Sequence, residues 1–150
     1  MCGIVAVTGY KKALPLLING LEKLEYRGYD SAGIAIINSE KKSITCNKSE
    51  GKLKNLIKNL NYENIQGTVG IGHTRWATHG KPEFKNAHPH VDGSGTIAVV
   101  QNGIIENFQD LKNKLEKEGI IFNSDTDTEV IPHLIKRELN TLSKLNLENN

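Results

Sequence analysis

The apolar pattern predicts an α+β fold, and three observations carry it. Segments with helical spacing alternate with short β-branched runs. Neighbouring strand candidates join through short polar turns, which argues against a simple doubly wound sheet. No repeat of 20 to 50 residues runs through the chain. At 150 residues the chain suits one domain, a size at which about two-thirds of the unfolded surface becomes buried.

The first element is a buried strand over Cys2 to Thr8, where Ile4, Val5 and Val7 form a β-branched run closed by Gly9. Leu14, Leu17, Ile18, Leu21 and Leu24 then recur at helical spacing, with Pro15 in the first turn and Gly28 beyond the end. Gly20 inside that helix costs about 1 kcal/mol against alanine. A loop dense in polar, aromatic and glycine residues, Glu25 to Gly33, leads into the strand Ile34-Ala35-Ile36-Ile37. Ser39 to Lys42 make a polar hairpin turn into a short strand over Ser43 to Cys46. Leu53, Leu56, Ile57 and Leu60 mark a short amphipathic helix, and Thr68 to His73 a strand whose glycines permit close backbone approach.

After a loop from Lys81 to Asp92, Thr96 to Gln101 read as a strand that runs into Asn102-Gly103. A helix from about Asn107 carries Phe108, Leu111 and Leu115 and ends at Gly119, and Ile120-Ile121-Phe122 read as a short strand. Asp125 to Glu129 supply capping chemistry for a helix bearing Val130, Ile131, Leu134 and Ile135. The tail from Thr141 to Asn150 stops without a closing strand, so the domain is expected to continue past it.

Bulk properties narrow the function classes. The net charge is +2 and the lysines are scattered among acids, which offers nucleic acid no basic face. No apolar run approaches the ~20 residues of a membrane span, and the N-terminus lacks a secretory pattern. Two cysteines are too few for a disulfide scaffold, so a reduced, cytoplasmic protein is expected, with Cys46 an inert packing thiol.

Cys2 is the first candidate for chemistry. Removal of Met1 leaves a thiol (pKa about 8.5) and an α-amine (about 8) on one residue, a pair able to exchange a proton near neutrality. A Cys-Gly before an apolar run equally suits the start of a strand. His73, His79, His88 and His90 fall in one region, but no metal-ligand spacing joins them; they read as hydrogen-bonding loop residues, and His133 as a helix surface or packing residue. No metal and no cofactor is expected. Gly70-x-Gly72 is too short for a dinucleotide fingerprint. Taken singly, Arg75 and Asp127 are an ordinary loop charge and an ordinary cap, and Asn102-Gly103 is a common turn dipeptide.

In one order, several segments match a known pattern: Cys2-Gly3-Ile4-Val5, Glu25 to Gly33, Gly72-His73-Thr74-Arg75-Trp76-Ala77-Thr78-His79-Gly80, Asn86-Ala87-His88-Pro89-His90, Asn102 to Asn107 and Thr126-Asp127-Thr128-Glu129. From Cys2 to about Leu139 the chain resembles the N-terminal glutaminase domain of the glutamine:fructose-6-phosphate aminotransferase (glucosamine-6-phosphate synthase) family, a class II glutamine amidotransferase. The resemblance implies an N-terminal nucleophile hydrolase fold, two antiparallel sheets stacked between helix layers in a four-layer αββα sandwich. It implies Cys2 as nucleophile toward the side-chain amide of L-glutamine, and Asn102 and Gly103 as an oxyanion hole. It further implies Arg75 and Asp127 as holders of the substrate's α-carboxylate and α-ammonium, with Trp76, Thr78 and His79 in a loop that closes over it.

The family's glutaminase domain runs well past residue 150, so this one is expected to be truncated, and the sugar isomerase domains that receive the ammonia are absent. A homodimer through the parent enzyme is allowed; nucleic acid and membrane partners are not expected. Two other readings stay open: a catalytically silent fragment that binds glutamine or assembles with missing segments, and a class II domain serving another acceptor.

Overall fold

The computed structural model describes residues 2–38, 40–41, 43–76 and 81–148, the stretch 145–148 as backbone only. The first sheet has four antiparallel strands, β1 (Gly3–Val7), β2 (Ser31–Asn38), β3 (Ser43–Glu50) and β4 (Val69–Arg75), in the order β1-β4-β2-β3. Helices α1 (Ala13–Leu24) and α2 (Leu53–Asn59) cover one face. The second sheet is a two-stranded antiparallel pair, β5 (His90–Val91) with β6 (Ala98–Val99), and α3 (Phe108–Lys117) and α4 (Val130–Glu148) complete the far side. Among the described residues no helix is long and apolar enough to cross a membrane.

Alternation along β2 makes the two-faced sheet. Ala32, Ile34 and Ile36 turn toward the helices and bury with Leu14, Leu17 and Leu21 of α1 and Leu53 and Leu56 of α2. Gly33, Ala35 and Ile37 turn toward the second sheet, where Ile97 and Ala98 line a shallow apolar gap with Ile44 and Ile71. Glycine lets the layers close. A Cβ on Gly20 would come within 2.8 Å of Val5 Cγ1, and one on Gly70 within 2.9 Å of Leu17 Cδ1. The helix-interior glycine is therefore explained by the contact of α1 with β1.

Two distant contacts set the helix ends. The Ala13 N–H donates to Gly67 O (2.9 Å), tying the start of α1 to the approach of β4. The Leu53 N–H, at the start of α2, donates to Glu25 Oε1 (2.8 Å). At its other end, α3 stops at Gly119, whose φ of +87° is the left-handed conformation glycine tolerates, with the Ile120 N–H returning to Leu115 O (3.0 Å).

Three local expectations are revised. β3 extends to Glu50 because all eight residues of β2 pair with it, from Ser31 opposite Glu50 to Asn38 opposite Ser43. Backbone pairing, indifferent to the polarity of Asn47 to Glu50, sets its length. The strand expected from Thr96 to Gln101 shortens to Ala98–Val99, the length its partner β5 can match. Ile120 to Phe122 form no strand, since no described strand lies alongside them. The turn expected over Ser39 to Lys42 is described only at Glu40 and Lys41, whose N–H groups both donate to Asn38 Oδ1 (3.1 and 2.9 Å); Ser39 and Lys42 lie outside the described residues.

Candidate active site

Four separate parts of the chain meet at the end of β1. Antiparallel pairing sets Gly3 opposite Thr74, which brings Cys2 beside Arg75 and Trp76 at the C-terminal end of β4. On the other flank of β4, Ser31 pairs with Arg75. The loop before β2 is pressed against the same point: a Cβ on Gly28 would lie 2.7 Å from the Arg75 carbonyl carbon, and the Asp30 N–H donates to Arg75 O (3.1 Å). The glycine- and aromatic-rich loop thus packs against the backbone that carries Arg75. From the opposite side come Gln101, Asn102 and Gly103 after β6, and Thr126, Asp127 and Thr128 before α4.

Together with His73 and His88, these residues line one cleft of about 50 Å³, room for a few water molecules. The Trp76 N–H donates to Cys2 Sγ (3.2 Å), which holds the sulfur against the end of β4. Asn102 donates through Nδ2 to Cys2 O (3.0 Å), so the amide lies against the residue that carries the thiol. Gly103 follows, with only the flexible end of Gln101 within 3.4 Å of where a Cβ would stand.

The two charged candidates are held from behind. Arg75 is buried and donates through Nη1 to Lys81 O (3.3 Å), a carbonyl that also receives Asn86 Nδ2 (3.0 Å). Asn86 Oδ1 in turn accepts the Asp125 N–H (2.8 Å), joining the loop behind Arg75 to the segment that carries Asp127. Asp127 is also buried. Its Oδ2 accepts the Ile105 N–H (2.7 Å), so the side chain reaches across to the segment after Gly103, a role beyond capping the helix that follows it. A guanidinium and a carboxylate on one cleft can hold opposite ends of a zwitterion.

A row of imidazoles backs the cleft. His73 stacks on His88 with ring centroids 4.3 Å apart, His88 meets His90 edge to face at 4.6 Å, and His90 Nε2 bonds Thr126 Oγ1 (2.8 Å). Burial opposes charging of all three: His73 is pushed down to about 4, His90 to about 3, and His88 also downward, helped by its neighbouring histidines. The rings meet largely through their faces, and among the described residues no group of three or more histidine, cysteine or acidic side chains is placed to hold a metal ion.

Cys2, Asn102, Gly103, Arg75, Trp76 and Asp127 therefore converge on one cleft, while Thr78 and His79 lie outside the described residues. The sequence reading missed His73, His88, Gln101, Thr126 and Thr128 as lining residues. For His73 a signal existed: it stands two residues before Arg75 on a strand, which puts both side chains on one face. Cys46 is a packing thiol, with burial raising its pKa, and His133 is buried against Phe122. A roomier cavity of about 690 Å³ lies elsewhere, between the Asp92 turn, Glu118 to Ile121 and α4. It contains none of the converging residues.

The family profile described as "Glutamine amidotransferase domain" matches residues 37–146. The chain is 59% identical over 136 residues to a glutamine–fructose-6-phosphate aminotransferase (isomerizing) of Gloeobacter violaceus, covering 90% of this chain and 22% of that protein. It is 57% identical to the enzyme of the same name from Pyrococcus horikoshii, covering 93% and 23%. The chain thus spans less than a quarter of the length of these relatives. Among solved structures it is similar to the glutamine phosphoribosylpyrophosphate amidotransferase of B. subtilis, with a TM-score of 0.74 and 31% identity over 91% of this chain and 29% of that one. A second, titled as the allosteric regulatory enzyme of purine biosynthesis, matches with a TM-score of 0.77 and 33% identity over 91% and 30%. These neighbours share the N-terminal nucleophile hydrolase sandwich, in keeping with the two antiparallel sheets between helix layers. On this combined ground, the chain belongs to the glutamine amidotransferase domain family.

Proposed function

We propose that the chain, once Met1 is removed, hydrolyses the side-chain amide of L-glutamine with Cys2 as nucleophile. The observation that carries this reading is the meeting of Cys2 Sγ, the Asn102 amide, Gly103, Arg75 and Asp127 on a single cleft. The α-amine of Cys2 takes the thiol proton as sulfur bonds to the amide carbon, and the oxygen of that carbon becomes an oxyanion. Asn102 has a second Nδ2 hydrogen to give beyond the one on Cys2 O, and the Gly103 N–H is the companion donor. The tetrahedral intermediate collapses as the α-ammonium passes its proton to the departing nitrogen, releasing ammonia and leaving a γ-glutamyl thioester. Water then attacks the thioester, freeing glutamate and restoring the thiol.

Arg75 pairs with the substrate α-carboxylate and Asp127 with its α-ammonium. Trp76 stands at the mouth, edge to face with Tyr29 (5.1 Å), and is assigned with Thr78 and His79 to the covering loop. Residues 1–150 are assigned to the glutaminase part, with fructose-6-phosphate as the acceptor's substrate class. The isomerase chemistry belongs to sugar isomerase domains that these residues do not include. The name and the identity of the relatives support that acceptor.

The test is labelling by an electrophilic glutamine analogue, located by mass spectrometry, alongside release of glutamate and ammonia. The expected result is a single adduct on Cys2 in Met-processed chain, loss of turnover in Cys2→Ala, and none in chain that keeps Met1. Folded, processed protein that remains unlabelled at Cys2 would leave a silent glutamine-binding or assembly fragment as the reading.

A further inference from the structure

We infer that His73 is a positioning residue, holding the Asn102 side-chain amide in the orientation that aims its NH2 group at the reacting centre. The inference rests on the glutaminase reading for its kinetic consequence, and on geometry alone for the contact itself.

The hydrogen-bond directions leave one consistent assignment. Asn102 lies between Cys2 O, 3.0 Å from Nδ2, and His73 Nε2, 2.9 Å from Oδ1. A backbone carbonyl can only accept, so the NH2 group faces Cys2 and the amide oxygen faces the imidazole. The amide oxygen is itself an acceptor, so His73 carries its proton on Nε2. Burial keeps the ring neutral near pH 7, which leaves a single N–H. Nδ1 is then a bare, buried nitrogen; the Gln101 backbone also acts on the ring, but among the described residues no group makes a hydrogen bond of good geometry with Nδ1. An orphan acceptor there is a lesser burden than an orphan N–H.

The ring is also fixed from behind. It is 1% exposed on β4, stacked on His88 with an interplanar angle of 16°, and His88 is backed by His90, which bonds Thr126. The donor therefore approaches from a rigid wall. A hydrogen bond accepted by an amide oxygen draws electrons from the amide nitrogen and makes its hydrogens better donors. His73 would thus strengthen the donor as well as aim it.

The test compares His73→Phe, His73→Gln and Asn102→Ala in the full, Met-processed chain, each first checked by thermal melting. His73→Phe keeps a flat ring without a donor, while glutamine can present its side-chain NH2 near the place of Nε2. The expected kcat of His73→Phe falls ~10-fold or more, short of the ~10²- to 10³-fold typical of losing an oxyanion donor outright. KM for glutamine changes less than about threefold, because the substrate's charged ends are held elsewhere. His73→Gln recovers most of kcat. In the Asn102→Ala background, His73→Phe has less than about a twofold further effect, the signature of two residues acting through one contact. Nitrogen NMR of labelled histidine finds His73 as the Nε2–H tautomer. Unchanged kcat in His73→Phe, additive losses in the double variant, or an Nδ1–H tautomer would each overturn the inference. Failure of the glutaminase reading is separately recognisable, since wild-type chain would then release no ammonia while the tautomer still decides the contact.

Discussion

Acidification from about pH 7.5 to about pH 5.5 is predicted to destabilise the fold by about 4 kcal/mol, through His73, His88 and His90. These rings are 1%, 6% and 3% exposed. The charged groups facing them are Lys48 on β3, Arg75 on β4, Asp30 before β2 and Glu129 before α4; the two cations add to the effect of burial and the two carboxylates oppose it. All three histidines have folded-state pKa values depressed below 6.5, with His73 near 4 and His90 near 3. Between 6.5 and those values the unfolded chain binds protons that the folded one refuses, so stability is present above 6.5 and lost as pH falls through that window. One unit below 6.5, each histidine accounts for about 1.4 kcal/mol. Against a typical total of ~5 to 15 kcal/mol this is a large fraction. Glu129, whose carboxyl is held at about 2, contributes a loss of the same sign only below its ordinary 4.5, outside the interval tested. Urea unfolding followed by circular dichroism at the two pH values measures the difference, with the midpoint expected to fall by ~2 M for a slope near 2 kcal/mol/M. His88→Phe removes one of the three titrating rings and should cut the pH-dependent loss by about a third. Equal midpoints at both pH values would refute the picture of three buried neutral rings.

Gly33→Ala should destabilise by ~3 kcal/mol or more, because its Cβ would stand 2.1 Å from His88 O and backbone has to move; a melting temperature equal to wild type would contradict that contact. Glu129→Gln should lower stability by about 2 kcal/mol at neutral pH, since the buried carboxylate accepts the Asn123 N–H (2.8 Å), the Ser124 N–H (2.7 Å) and the Ser124 hydroxyl (2.5 Å), and an amide nitrogen would face one of those donors. Urea midpoints of the two proteins at one pH check it. Arg75→Ala should raise KM for glutamine ~10-fold or more with a smaller change in kcat, and steady-state kinetics with an unchanged KM would remove Arg75 from the carboxylate site.

The first half of the fold was readable because its signals are local. The leucines of α1 report a helical periodicity that one segment carries by itself, and the apolar run of β2 and the glycines of β4 mark strands in the same local way. Strand ends were less readable because partners set them: β3 gains Asn47 to Glu50 from β2, while Thr96 to Gln101 lose length for want of a longer neighbour. The site followed the same division. Cys2, Asn102 and Asp127 are far apart along the chain, and no spacing rule joins them; the likeness of their flanking motifs to one family did. His73 was read only as one of several hydrogen-bonding loop histidines, because its partner Asn102 is 29 residues away and no local pattern points to it.

The position of β1 has a practical corollary for anyone producing this protein. Among the described residues it is an edge strand, paired with β4 alone, and the residue just before it lines the cleft. An affinity tag fused ahead of Cys2 would leave the core of α1, α2 and β2 intact while adding atoms at the cleft. Even a one-residue scar after tag cleavage converts the free amine into an amide. Under the proposed mechanism such a preparation would fold and yet lack the amine the reaction uses, so purification handles belong at the far end of the chain.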